Sequence, residues 1–336
     1  MSETRTRRSQ GRSSPKDLRA LLEKAVARRP AGGIIFSGGL DTAVVAALMC
    51  GAAEGPGPIR AVSVGVGPKS HDLEASRALA KILGLRRTVL HFTPEELLSR
   101  GPSVVRILKT YDPMAIRNHT VIYCALVRAK ALGLKTVATG DGGDELFAGY
   151  SFLFDKTDRQ LDYSLRRMQR IMSFASRDLG EAVGVKVTAP FLDPEVQAFA
   201  RKLKKRDLIA TYRGKKIGKA IVRRCMKGTL PERYLWRTKM PIEIGSGAHC
   251  LDRYWEKTIS DGTFADESRW ILERDGVRIR NKGQLHSYGT YRKTFGPPGP
   301  RAGAKLSCPD CRSPVEPWES LYCLTCGLWP VKGRPE

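Results

Sequence analysis

At 336 residues and 41% hydrophobic content, the chain is long enough for one large domain or two modest ones around a packed core. No stretch reaches the roughly 18 uninterrupted apolar residues of a membrane span, and the basic N-terminus lacks an apolar signal-peptide core, so no membrane role is expected and the cytoplasm is the expected compartment. The 58 Lys and Arg against 34 Asp and Glu leave a formal charge of +24, an excess that either attracts a polyanion such as nucleic acid or is spread over a solvated surface.

Residues 1–16 read as a disordered basic tail, with Arg5, Arg7, Arg8 and Arg12 among Ser, Thr and Gln. Leu18–Arg28 has helical spacing and ends before Pro30. Gly33–Phe36 is a short buried-strand pattern, followed at once by the turn Ser37-Gly38-Gly39-Leu40-Asp41-Thr42 and an apolar helix over Ala43–Cys50. The alternation continues with a strand at Ile59–Val64, a helix at Leu73–Leu83 closed by Gly84, and a strand at Arg87–Phe92. A helix follows Pro94, another spans Val121–Leu132 and stops at Gly133, and Thr136–Thr139 is again a strand. Strands alternating with helices predict an α/β fold with a doubly wound parallel sheet over residues 17–150, its ligand crevice beyond the carboxyl ends of the strands.

Residues 151–295 read as a helical continuation in which strand patterns fade. Within it, Arg201–Lys227 carries twelve basic residues against Asp207 alone, a candidate polyanion surface or a frame for a nearby pocket. The Gly/Pro-rich stretch 296–305 reads as a linker, and 306–330 as a small module of its own.

The Ser37–Thr42 turn joins a strand to a helix, where backbone N–H groups and the helix dipole favour an anion. The Lys-bearing P-loop pattern is absent. The turn resembles the SGGxDS signature of PP-loop ATP pyrophosphatases. Thr139–Tyr150, reading TGDGGDELFAGY, is similar to the second nucleotide-site loop of the synthetase domain of asparagine synthetases. Pro190-Phe191-Leu192-Asp193 resembles that family's VPFLD segment, and Leu230-Pro231-Glu232 with Trp236-Arg237-Thr238-Lys239 its LPE…WRxK segment.

That resemblance implies that Ser37, Gly38, Gly39, Asp41 and Thr42 hold the pyrophosphate portion of ATP, and that Asp41 and Asp144 bind Mg2+. It places Val62–Gly65, Val64 included, and Gly140 against the nucleotide. Lys239 would steady the leaving pyrophosphate, and Asp141 would act on the second substrate. Among the candidate site residues, Asp141 stands where the family has Glu, and Thr42 replaces Ser. The family's glutaminase domain finds no room before the glycine turn, so nitrogen is expected from free ammonia or a separate partner protein.

Cys308-Pro309-Asp310-Cys311 and Cys323-Leu324-Thr325-Cys326 form two CxxC knuckles separated by eleven residues. This spacing points to four thiolates around one structural Zn2+, with a disulfide pair, a redox CxxC or an iron–sulfur cluster as the other readings. Trp318, Tyr322 and Trp329 either offer stacking surfaces to RNA or form the ribbon's own core. Cys50 and Cys124 read as core residues.

Three functions are consistent with these features. The first is a ligase that adenylates a small carboxylate or a carbonyl oxygen for displacement by nitrogen. The second is a PP-loop tRNA-modifying enzyme that adenylates a base carbonyl for amination, or for thiolation with a sulfur-donor protein. The third is a nucleic-acid-binding module retaining an inactive nucleotide fold.

Overall fold

The computed structural model describes residues 14–52, 58–300, 306–315 and 322–331. The basic tail's arginines and Trp318 lie outside them. Five strands form one parallel sheet in the order β3-β2-β1-β4-β5: β1 Gly33–Ile35, β2 Arg60–Val66, β3 Arg86–Phe92, β4 Thr136–Ala138 and β5 Lys186–Thr188. The strand order reverses between β1 and β4, which opens the crevice expected of a doubly wound sheet.

Alternation along the strands feeds two cores. Ile34, Ala61 and Ala138 face one cluster with the helices Pro15–Arg28 and Leu40–Ala52, while Val62, Val64, Val66 and Val137 face the other. From Ala43 onward helix Leu40–Ala52 is apolar on every side, and Ala43–Met49 are all buried, so it is sandwiched rather than surface-lying. Val44, Val45 and Leu48 each contribute about 1.5–3 kcal/mol by leaving water.

Most elements fall where the sequence puts them, with informative differences. The helix expected from Val121 begins at Pro113, its first turn capped by Asp112, which accepts from the N–H groups of Met114 and Ala115, each at 3.1 Å. The sheet takes β5 from the segment read as helical. The basic run is not one exposed face either. It contains an antiparallel hairpin, β6 Ala210–Tyr212 and β7 Lys215–Ile217, followed by a helix at Ala220–Cys225, and Lys219 and Arg223 are both buried.

The cysteine module packs into the second core. Its four Cys, Val315 and Val331 cluster with Tyr111, Val277, Ile279, Tyr288 and Tyr291. Backbone bonds seal the contact: Tyr111 N–H donates to Thr325 O at 2.9 Å and Arg278 N–H to Asp310 O at 2.8 Å. Gln284 adds an Nε2 bond to Cys326 O at 2.6 Å. Tyr322, one of the rings considered for RNA stacking or for the module's own core, donates its hydroxyl to the Asp112 carboxylate. Trp329 is 70% exposed.

Candidate active site

Gly38 makes the glycine turn possible. Its φ is 75°, and a Cβ there would strike the backbone of Ser76. The turn is tied internally, with Gly39 N–H donating to Ser37 Oγ at 3.1 Å and Thr42 Oγ1 to Gly39 O at 3.2 Å. Gly39 to Thr42, at the start of helix Leu40–Ala52, line the crevice, so the positive end of that helix's dipole faces it. Gly140, from the loop after β4, comes so close that a Cβ would sit 2.8 Å from the Asp41 Cβ.

A cleft of about 640 Å³ lies at this point, and Ser37, Gly39, Asp41, Thr42, Val62, Val64, Gly140, Asp141, Asp144 and Lys239 all line it. Gly38 shapes the turn from behind. Every candidate site residue of the nucleotide loops thus gathers in one place, 18% and 19% of the Asp41 and Asp144 side chains remaining exposed.

The central feature is one the sequence did not single out. Lys219, 2% exposed, sets its Nζ 2.5 Å from Asp41 Oδ2 and 2.7 Å from Asp144 Oδ1. Lys239 approaches Asp144 Oδ2 at 3.6 Å while lying 4.6 Å over the Tyr150 ring. Burial raises the Asp41 pKa above the usual carboxylate range, Lys219 only partly offsetting it. Burial pushes on Asp144 too, but Lys219 and Lys239 together more than offset it and hold that carboxyl below its ordinary value. Burial disfavours the Lys219 charge, yet the two carboxylates raise its pKa.

Arg223 fixes the outer wall. Its Nε donates to Gly218 O at 2.7 Å and its Nη1 to Arg237 O at 3.0 Å and to Leu235 O. The strand of chain carrying Lys239 is thereby pinned to the residue preceding Lys219. Asp141 sits deeper, accepting from Thr139 Oγ1 at 2.8 Å and Ser176 Oγ at 2.5 Å. Burial raises its pKa, with the Ser176 and Thr139 bonds opposing.

Asp72, Asn118 and the Arg237 side chain also bring polar atoms to the cleft. Asn118 Oδ1 and Arg237 Nη1 are buried without hydrogen-bond partners. Burial pushes the Asp72 carboxyl up to about 7, the Arg237 charge pulling the other way. The folded state thus holds this proton more tightly than the unfolded chain, so the contribution is favourable at low pH and is lost as pH rises from about 4 to about 7. We expect Asp72→Asn to gain about 2–4 kcal/mol over the parent at pH 8 and nothing at pH 4, read by urea denaturation. Equal stability at pH 8 removes the case for a buried Asp72 charge.

The four thiol sulfurs of Cys308, Cys311, Cys323 and Cys326 are buried and lie within 4.8 Å of one another. Cys308 and Cys326 Sγ are 3.6 Å apart, and Cys311 and Cys323 Sγ 3.5 Å. A tetrahedral Zn2+ with bonds of about 2.3 Å sets its sulfurs about 3.8 Å apart, so the set fits a closed structural site.

The family model described as asparagine synthase matches residues 17–181 and 164–280. Asparagine synthetase B [glutamine-hydrolyzing] of Escherichia coli (strain K12) is 30% identical over 237 residues, covering 66% of this chain and 42% of that protein. A probable asparagine synthetase [glutamine-hydrolyzing] of Dictyostelium discoideum is 30% identical over 266 residues, 71% and 48% of the two chains. The chain spans about half the length of the curated relatives it matches. Among solved structures, the U34-tRNA thiolase NcsA from Methanococcus maripaludis with its [4Fe-4S] cluster is 12% identical, with 90% and 84% coverage and a TM-score of 0.30, a likeness too loose to carry an argument.

Proposed function

Because this chain belongs to the asparagine synthase family, we propose that it is an ATP-dependent ligase that forms AMP and pyrophosphate, adenylating a carboxylate or carbonyl oxygen that a nitrogen nucleophile then displaces. The observation carrying this reading is the Asp41–Lys219–Asp144–Lys239 constellation set against a glycine turn in a single cleft. The triphosphate would lie along Ser37–Thr42, with the adenosine against Val62, Val64 and Gly140.

The acceptor oxygen attacks the α-phosphorus in line, the bond from that phosphorus to the bridging oxygen breaks, and pyrophosphate leaves with the electron pair. Lys219 and Lys239 would meet the charge that develops there. Nitrogen then attacks the activated carbon, the C–O bond to AMP breaks, and we assign the proton shed by nitrogen to Asp141. Asp41 and Asp144 suit Mg2+, for they offer hard oxygens and Asp41 Oδ1 is buried without a protein partner. Bound there, the ion would neutralise phosphate charge and polarise the α-phosphate. Nitrogen would arrive as free ammonia or from a separate glutaminase.

A second reading places the acceptor oxygen on a tRNA base, for amination or thiolation, and is favoured by a basic cavity beside the cleft. The test is release of AMP and pyrophosphate from MgATP, with aspartate plus ammonia in one set and total tRNA in another. Stimulation is expected in one set and its loss in Asp41→Asn. Turnover that persists in Asp41→Asn overturns the metal-site assignment, and no AMP in either set overturns the ligase.

A further inference from the structure

A second cavity of about 710 Å³ adjoins the nucleotide cleft, and Tyr150, Arg237, Thr238 and Lys239 line both. Its outer wall is the β6–β7 hairpin, whose turn residues Arg213 and Gly214 both have positive φ, 48° and 75°. That turn suits the strand twist and carries Arg213 to the tip between β6 and β7. Arg213, Lys215, Lys216 and Arg233 are exposed around the cavity, and Glu232 is the one acidic side chain among the described residues lining it. Lys216 pairs with the exposed Asp155, while Arg213, Lys215 and Arg233 have no ion-pair partner among the described residues.

Aromatic planes lie among these cations. Tyr212 stacks on Trp236 with centroids 4.8 Å apart and planes 9° from parallel. Phe152 stacks on Tyr150 at 5.5 Å and 18°, and it remains 64% exposed, so one ring face is open. Unpaired cations alone would take any polyanion. Cations beside an open aromatic face match a backbone of phosphates carrying unstacked bases, and RNA presents such bases stably in loops.

We propose that this cavity docks a looped, single-stranded RNA segment, its phosphates along the hairpin cations and a base against Phe152. The shared wall from Arg237 to Lys239 then lets a neighbouring base reach the nucleotide cleft. The proposal rests on the ligase reading only for what happens to that base; docking is read separately, by binding.

The test is fluorescence anisotropy of the full chain with a labelled RNA stem–loop across a salt series. Arg213→Ala/Lys215→Ala/Lys216→Ala is expected to flatten the log–log salt dependence by about two units, and Phe152→Ala to weaken binding about tenfold. Unlabelled stem–loop should displace the probe and poly-L-glutamate should not. Unchanged affinity and salt slope in the triple variant overturn the proposal, as does displacement by poly-L-glutamate at the same phosphate-to-carboxylate equivalence. AMP release without RNA is expected to stay at the parent rate in the triple variant. A parent protein that binds the stem–loop but forms no AMP leaves docking supported and the ligase reading overturned.

Discussion

Replacing Lys219 by Met is expected to reduce AMP formation by at least about a hundredfold and to cost about 3–5 kcal/mol of stability. Lys219 is 2% exposed and touches both Asp41 and Asp144. Removing its charge leaves two carboxylates facing each other, with Lys239 at 3.6 Å from Asp144 as the remaining ion-pair partner among the described residues and the Arg223 guanidinium acting at longer range. Lys219→Arg should not rescue activity, because a Cβ on Gly149 would already lie 2.5 Å from Lys219 Cε, leaving no width for a guanidinium.

The pH dependence follows from the directions of the shifts. Lys219 titrates above 10.5 in the folded chain, so its contribution is complete below pH 10.5 and is lost only as pH climbs through the folded value. Asp144 titrates below 3.8, so its contribution is present above that value and is lost as pH falls through the folded one. The Lys219→Met penalty should therefore be largest near neutrality and shrink in acid as the carboxylates protonate. Mg2+ should stabilise the variant more than the parent, whose lysine stands between the same carboxylates. Urea denaturation at pH 7 and at pH 4, the former with and without Mg2+, reads both effects. A variant as stable as the parent without Mg2+ rules out Lys219 as the counter-ion, and one that still turns over removes it from the chemistry.

That this lysine escaped a reading of the sequence has a physical cause. It stands among twelve basic residues between Arg201 and Lys227, and nothing local marks it off from Lys215 or Lys216, which are exposed. Only the fold separates them: Lys219 adopts φ 58° and donates its backbone N–H to Phe147 O at 3.0 Å, joining the acidic loop from a distance. The glycine turn was legible because its signal is local, a strand, a turn that needs Gly38 and an apolar helix within twenty residues. β5 was not, since three residues with one fully buried side chain, Thr188, are too few to show a period of two. The start of helix Pro113–Ala131 was hidden by Arg117-Asn118-His119, which interrupts the apolar pattern, although Asp112 and Pro113 carry the start signal. Cysteine spacing revealed the module, but its docking depends on Tyr111, Tyr288 and Tyr291, remote in sequence.

That docking supports the last prediction. We expect one Zn2+ per chain, and we expect its removal to loosen a nucleotide cleft that the metal does not touch. Thr325 O accepts from Tyr111 N–H and from Thr110 Oγ1, the latter at 3.1 Å, and Tyr322 donates to Asp112. Asp112 in turn caps the helix whose Met114, Asn118, Val121, Ile122 and Ala125 line the cleft. A metal-bound module folds with its metal, so losing the ion withdraws the partners of Thr110 to Asp112 together. Cys311→Ser, or a zinc-selective chelator in the presence of excess Mg2+, should lower the Tm and weaken MgATP binding in parallel with zinc loss. Asp112→Ala separates the route from the metal: it should keep its zinc, lose about 0.5–2 kcal/mol of cap energy, and still weaken MgATP binding. A zinc-free protein that binds MgATP as tightly as the parent breaks the connection, and the module is then an appendage whose packing serves itself.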